Sequence, residues 1–289
     1  HSPPPEKAAT KPLSANNSPP GRGVGLREGG RQATPLGRER RLGHHGRQPF
    51  TAKETAMALV LYERLCAEDR RPSPFCWRAR LALAHKGLTP EVRGLKFTEG
   101  DKVAFSGQTK VPVLVDGDAV VADSWAIACH LEDSYPDAPS LFGGPGGRAL
   151  SRFVNHWVDH GLQKALSPIV APYLLAVVQP DDRAYYRQTR EAKFGLTMEQ
   201  LAVRRPALLE ALGPVLEPLR QRLSETPFLC GERPAYADYL AFGEFQMMRS
   251  ACDVDVLGPE DVELRTWRTL MLDLFDGLAR SVPAFETAA

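Results

Sequence analysis

From position 57 onward the chain shows two successive kinds of apolar pattern. Ala58-Leu-Val-Leu-Tyr62 is a short apolar run rich in strand formers and bounded by charge, which predicts a buried strand. After Pro74 the spacing changes to three and four. Phe75, Ala79, Ala82 and Leu83 fall on one face, and Gly87 after Lys86 supplies a C-terminal stop, so a helix is predicted there. Residues 91–97 form a weaker strand pattern. Val111-Pro-Val-Leu-Val115 and Ala119-Val-Val-Ala122 flank Asp116-Gly117-Asp118 and read as an antiparallel hairpin. Ser124 then opens a helix through Ile127, Ala128 and Leu131 that ends before Pro136.

Beyond Pro139 the period is helical throughout. Residues 148–178, 197–224, 236–251 and 262–280 carry apolar repeats at three and four, as Leu270, Leu274 and Leu278 do in the last of them. The polar stretch Gln179 to Lys193 reads as a loop or a short helix. Pro136–Gly147, with Gly143-Gly144-Pro145-Gly146-Gly147, is the connection between halves. The expected organisation is a small α/β domain over 57–139, a linker over 140–147 and an all-α domain over 148–289.

Composition changes this picture mainly at the start of the chain. Residues 1–56 hold eight Pro, eight Gly and a single aromatic, Phe50, too little apolar surface to offset the entropy of ordering. That segment is expected to be a disordered basic extension. No apolar core of about 7–15 residues follows its arginines, so it does not read as a secretory signal. It reads either as sequence upstream of a start at Met57, or as a basic tail for an acidic partner or for organelle import. Ten Lys/Arg against four Asp/Glu lie there, so the overall net charge of +1 conceals an acidic remainder, a poor nucleic-acid binder by its field. No run of eighteen apolar residues predicts a membrane-spanning helix. Five scattered cysteines without a Cys-x-x-Cys suit neither a disulfide framework nor a zinc site, and fit a reducing cytoplasm.

Two places could carry chemistry. Ser73, in Pro72-Ser-Pro-Phe-Cys-Trp-Arg78, stands where the first strand runs into the first helix. A hydroxyl there faces the positive end of a helix dipole and could hold a thiolate; equally, Ser73 could simply cap the helix with Pro74 at its first position. Asp123-Ser124 opens the next helix and could bind a carboxylate, or could again be a cap. Pro112 within a strand pattern belongs at a sheet edge or in a cis peptide that frees Val111 for a ligand. His156 and His160 are four apart on a helix but lack a recognisable third ligand, so no metal site is expected. Cys76 reads as a small buried apolar residue.

Taken together, Ser73-Pro-Phe-Cys-Trp-Arg78, Lys110-Val-Pro-Val113 and Asp123-Ser-Trp125 in a thioredoxin-like domain followed by helices resemble a glutathione S-transferase. Ala82-Leu-Ala-His-Lys-Gly-Leu88, Tyr135-Pro-Asp, Leu264-Arg-Thr-Trp267 and Asp273-Leu-Phe-Asp-Gly-Leu278 bring the likeness closer to the bacterial lignin β-aryl-ether-cleaving enzymes and related fungal serine-type transferases. The resemblance spans residues 58 to about 280. It implies glutathione as co-substrate, with Ser73 bonding its sulfur. Val111, ahead of the cis-proline Pro112, would pair by its backbone with the cysteinyl part, Lys110 would belong to the same glutathione-binding group, and Asp123 with Ser124 would hold the γ-glutamyl end. It further implies a hydrophobic, aromatic second substrate, β-aryl ether cleavage, a role in detoxification, a homodimer and a cytoplasmic location.

Two departures stand out. Ala235 occupies the usual cap of the helix that carries Ala237-Asp238, and a lost cap typically costs ~1 kcal/mol. Serine rather than cysteine at position 73 removes the nucleophile that disulfide exchange needs. The competing expectations are a non-catalytic protein that binds aromatic ligands on the same fold, and a thioredoxin-fold interaction module without glutathione.

Overall fold

The computed structural model describes residues 59–285, all within the unit Glu54–Ala289. The expectation for residues 1–56 lies outside the described residues. The first apolar run forms β1 (Leu59–Arg64), followed by α1 (Pro74–His85), β2 (Glu91–Leu95), β3 (Val113–Asp116), β4 (Ala119–Ala122) and α2 (Ser124–Ser134). The sheet order is β2-β1-β3-β4, with β1 parallel to β2 and antiparallel to β3. Asp116 pairs with Ala119 across a two-residue connection whose Gly117 takes a positive φ of 58°, as tight hairpins require.

Strand alternation sorts the sheet residues onto two faces. Leu61 and Leu114 point into the main core with Trp77 and Leu81 of α1 and Ile127 of α2. Val113 points the other way, to a small cluster with Leu95 and Val103. Pro112 sits just ahead of the interior strand β3, so it removes no donor from the ladder, and the Val111–Pro112 peptide is cis.

The second half is helical: α3 (Pro145–Trp157), α4 (Gln163–Val177), α5 (Arg183–Phe194), α6 (Met198–Leu223), α7 (Tyr236–Ala251) and α8 (Val262–Gly277). One π-helical turn, Val158–Leu162, joins α3 to α4. One detail differs from the pattern reading, and one open alternative, loop or short helix over 179–193, resolves to a helix. Helix α3 starts at Pro145, inside the expected linker, where Leu141 and Phe142 are already buried. The polar stretch 179–193 is a 3-10 turn, Pro180–Asp182, leading into α5. Apolar periodicity could not reveal α5, because Tyr186 alone among its residues is buried.

Every residue of α7 is buried, which makes it the central pillar against α1, α3, α4 and α8. Its missing cap is made good from within. The Asp238 carboxylate accepts from the N–H of Ala235 at 3.1 Å, of Leu229 at 2.8 Å and of the Trp267 indole at 2.9 Å. The reach back to the cap residue's N–H is one half of a capping box, supplied by the acid at the third helical position. At Gly243 the helix comes so close to α1 that an added Cβ would lie 2.6 Å from the carbonyl oxygen of Pro74.

Candidate active site

Ser73 has extended backbone, and Pro74 begins the helix with its φ already suited to that position. Its Oγ accepts from the Cys76 N–H at 3.3 Å, so the serine does cap α1. Capping uses a lone pair only. The hydroxyl proton is not used by the cap; Ser73 also shares a side-chain hydrogen bond with Cys76, which a bound thiolate would have to replace, and on that basis the two readings of Ser73 are compatible. Ser73 also lines a cleft of about 470 Å³, together with Phe75 and with Lys110 and Val111 from the loop ahead of β3. The facing wall comes from α4, through Ser167 and Val170, and from α5, through Tyr185, Arg190 and Lys193.

The other expected residues, Pro112, Asp123 and Ser124, do not line this cleft. Pro112 is buried, and its carbonyl accepts from the Asp123 N–H at 3.3 Å, which ties the hairpin to the start of α2. Asp123 is exposed and caps α2, accepting from the N–H groups of Trp125 (2.9 Å) and Ala126 (3.2 Å). It does so at φ 82°, ψ 135°, a conformation that side chains bearing a Cβ seldom adopt. Ser124 is buried, and its carbonyl accepts from the Tyr236 hydroxyl at 2.8 Å. Thus Ser73, Lys110 and Val111 line the cleft, whereas Pro112, Asp123 and Ser124 are not among the residues that do.

Beneath α1 runs an ionic group in which Arg78 and Glu244 are fully buried and Asp159 is partly exposed. The Arg78 guanidinium meets Asp159 at 2.7 Å and Glu244 of α7 at 3.0 Å, with its carbon 4.6 Å from the centre of the Phe75 ring. Burial pushes the Glu244 carboxyl up to about 8, against the pull of Arg78. Cys76, two residues before Arg78, is wholly enclosed, and burial pushes its thiol up to about 12. It therefore stays protonated and inert at neutral pH. The rings of His156 and His160 stack 6.2 Å apart on an exposed face, and no group of three His, Cys, Asp or Glu able to hold a metal occurs among the described residues.

Helix α5 reaches the cleft because its start is pinned to the segment that follows β2. Asp182, fully buried, accepts from the N–H of Phe97 at 2.6 Å and from the N–H and hydroxyl of Thr98 at 3.2 and 2.7 Å. Lys96 and Asp181 add an ion pair at 2.6 Å. These contacts, the α5 wall and the Gly243 approach are absent from the sequence reading. Two signals were available. Pro180-Asp-Asp is a helix start, and a glycine inside a helix, disfavoured by about 1 kcal/mol, implies a packing reason.

The family model described as glutathione S-transferase, N-terminal domain, matches residues 72–134, and its C-terminal counterpart matches residues 149–271. Glutathione S-transferase Z2 of Arabidopsis thaliana is 30% identical over 131 residues, 44% of this chain and 59% of the relative, so the chain spans about three-fifths of that relative's length. Glutathione S-transferase 4 of Zea mays is 30% identical over 175 residues, 59% of this chain and 71% of the relative. A glutathione S-transferase of Ceriporiopsis subvermispora, crystallised in complex with glutathione, superposes with a TM-score of 0.66 at 23% identity, covering 78% of this chain and 99% of that one. With both domains matched in order and a Zea mays relative aligned over most of its length, the chain belongs to the glutathione S-transferase family.

Proposed function

We propose that this chain is a glutathione transferase in which Ser73 activates the thiol of glutathione for attack on a hydrophobic, aromatic electrophile. The observation that carries the reading is the Ser73 hydroxyl at the start of α1, on the wall of a large cleft beside Lys110 and Val111. A cysteine-like thiol has a pKa of about 8.5, so at neutral pH most glutathione is protonated. One hydrogen bond to the thiolate, worth roughly 1.5–3 kcal/mol, lowers that value by about one to two units. The helix dipole adds to it. The thiolate sulfur then bonds to the electrophilic carbon, the bond to the leaving group breaks with its electron pair, and the thiol proton goes to solvent. In β-aryl ether cleavage the bond broken is an aryl ether at the carbon beside a ketone, and the leaving group is a phenolate.

In this reading the backbone of Val111, next to Pro112, pairs with the cysteinyl part of glutathione, and Lys110 answers its glycyl carboxylate. Asp123 and Ser124 at the start of α2 hold the γ-glutamyl end. The unusual backbone of Asp123 supports a functional role, since strained positions persist where the surroundings over-determine them. The same reading includes a cytoplasmic homodimer, for which the exposed Leu150 and Phe153 of α3 offer an apolar face. Turnover of glutathione with 1-chloro-2,4-dinitrobenzene and with a β-aryl ether ketone tests it. A rate that Ser73→Ala abolishes supports the transferase. Tight binding of aromatic ligands with no Ser73-dependent rate would leave the binding protein instead.

A further inference from the structure

The cleft holding Ser73 is lined by four cations, Arg64, Lys110, Arg190 and Lys193, and by no carboxylate. Basic side chains elsewhere are commonly paired, as Arg78, Arg220 and Arg268 are with buried or half-buried acids. Among the described residues, none of the four cleft cations has an acid within ion-pair distance.

Their arrangement is specific. The Arg64 guanidinium donates to the carbonyls of Leu95 and Lys96 and lies 4.5 Å over the Phe97 ring. Arg190 lies 5.6 Å over the same ring and 4.9 Å over that of Tyr186. Two guanidinium groups thus share one aromatic platform, which steadies cations but does not neutralise them. Lys193 follows Arg190 by three residues on the same face of α5, and its ammonium is pushed below its ordinary range by burial and then by Arg190. The acids that reach this field are already committed, Asp182 to the N–H groups of Phe97 and Thr98, and Glu244 to Arg78. Helix-end stabilisation would account for Lys193 in the last turn but not for Arg190 seated on the Phe97–Tyr186 platform.

We infer that Arg190 and Lys193 form an anion subsite for the second substrate, so that the electrophile is an aromatic compound bearing a carboxylate or a group of like charge. The inference rests on the transferase reading, in which glutathione's own carboxylates go to Lys110 and to the start of α2. The cations of α5 stand on the opposite wall, where the electrophile enters.

A matched pair of aryl chlorides tests it: 4-chloro-3,5-dinitrobenzoate and its uncharged parent, 1-chloro-2,6-dinitrobenzene. Each kcat/KM is divided by the uncatalysed rate with glutathione. A single charge-assisted hydrogen bond corresponds to roughly a ten- to hundredfold change in affinity. The benzoate should therefore be preferred about tenfold or more, through KM, and Arg190→Gln with Lys193→Gln should abolish the preference. Added salt should shrink it. Calorimetry with the two glutathione conjugates reads the same subsite without chemistry: the carboxylated conjugate should bind about tenfold tighter, and the double variant should remove the difference. Equal use of both chlorides, or equal binding of both conjugates, overturns the subsite while leaving the transferase standing. An equal loss of glutathione affinity in the double variant also overturns it, since the cations would then serve glutathione. Failure of the wild-type protein to bind glutathione or either conjugate sinks the transferase reading and this inference together.

Discussion

The starts of α1 and α2 carry nearly the same local signature, a small oxygen-bearing residue just ahead of the helix, yet the fold uses them differently. At α1 the capping oxygen belongs to Ser73, whose proton the cap does not use and which lines the cleft. At α2 the cap is Asp123, exposed and strained, while the neighbouring Ser124 turns inward, with its carbonyl bound to Tyr236. A helix start is therefore not a ligand site by sequence alone. What separates the two is packing: α7 presses on α1 through Gly243 and anchors Arg78 beneath it, fixing Ser73 from below.

The largest expected effect comes from removing that support. Arg78→Met leaves Glu244 buried without its partner and should cost about 3–5 kcal/mol of stability above pH 8, where Glu244 is ionised, and less at neutral pH, read as a fall in the denaturation midpoint. An unchanged midpoint would show that the ionic group does not hold α1. The same group gives a pH signature. Because burial raises the Glu244 carboxyl to about 8 from its ordinary 4.5, the folded protein holds that proton more tightly than the unfolded chain. This contribution is complete below pH 4.5 and is lost as pH rises through 8. Glu244→Gln should flatten the stability profile across that window; an identical slope in both proteins would contradict the assignment.

Gly243→Ala places a methyl group against the Pro74 carbonyl and should destabilise by about 1–3 kcal/mol, with a disproportionate loss of rate because Ser73 shifts. Equal activity at equal stability would separate α7 from the site. At α2, Asp123→Ala removes a cap taking two N–H groups, an expected loss of ~1 kcal/mol, and should raise the glutathione KM more than it lowers kcat. Asp123→Asn, which retains the cap geometry, tells capping from charge. The smallest effect belongs to Cys76. It should resist thiol reagents in the folded protein, and Cys76→Ala should conjugate at nearly the wild-type rate. Rapid labelling of Cys76 would reopen its role.

Much of this contrast was legible before any coordinates. Strand runs, the hairpin around Gly117 and the helix start at Pro74 are local patterns, and the structure reproduces them within a few residues. Family motifs grouped Ser73 with Lys110, Val111, Pro112, Asp123 and Ser124; Ser73, Lys110 and Val111 line one cleft, and Pro112, Asp123 and Ser124 are not among its lining residues. What stayed hidden depends on residues far apart in the chain. Arg190 and Lys193 sit on a helix whose single buried residue leaves no apolar period, and they reach the cleft only because Asp182 grips Phe97 and Thr98 across the interface. Likewise, the lost cap at Ala235 looked like a weakness. Nothing local shows that Asp238 would collect three N–H donors, one of them from Trp267 on another helix.

The most direct measurement is the ultraviolet absorbance of glutathione thiolate bound to the protein, titrated across pH beside Ser73→Ala. The account predicts a bound thiol whose pKa lies about one to two units below its free value, returning toward about 8.5 when the serine hydroxyl is removed. An identical depressed pKa in both proteins would contradict it and move the activating role away from Ser73.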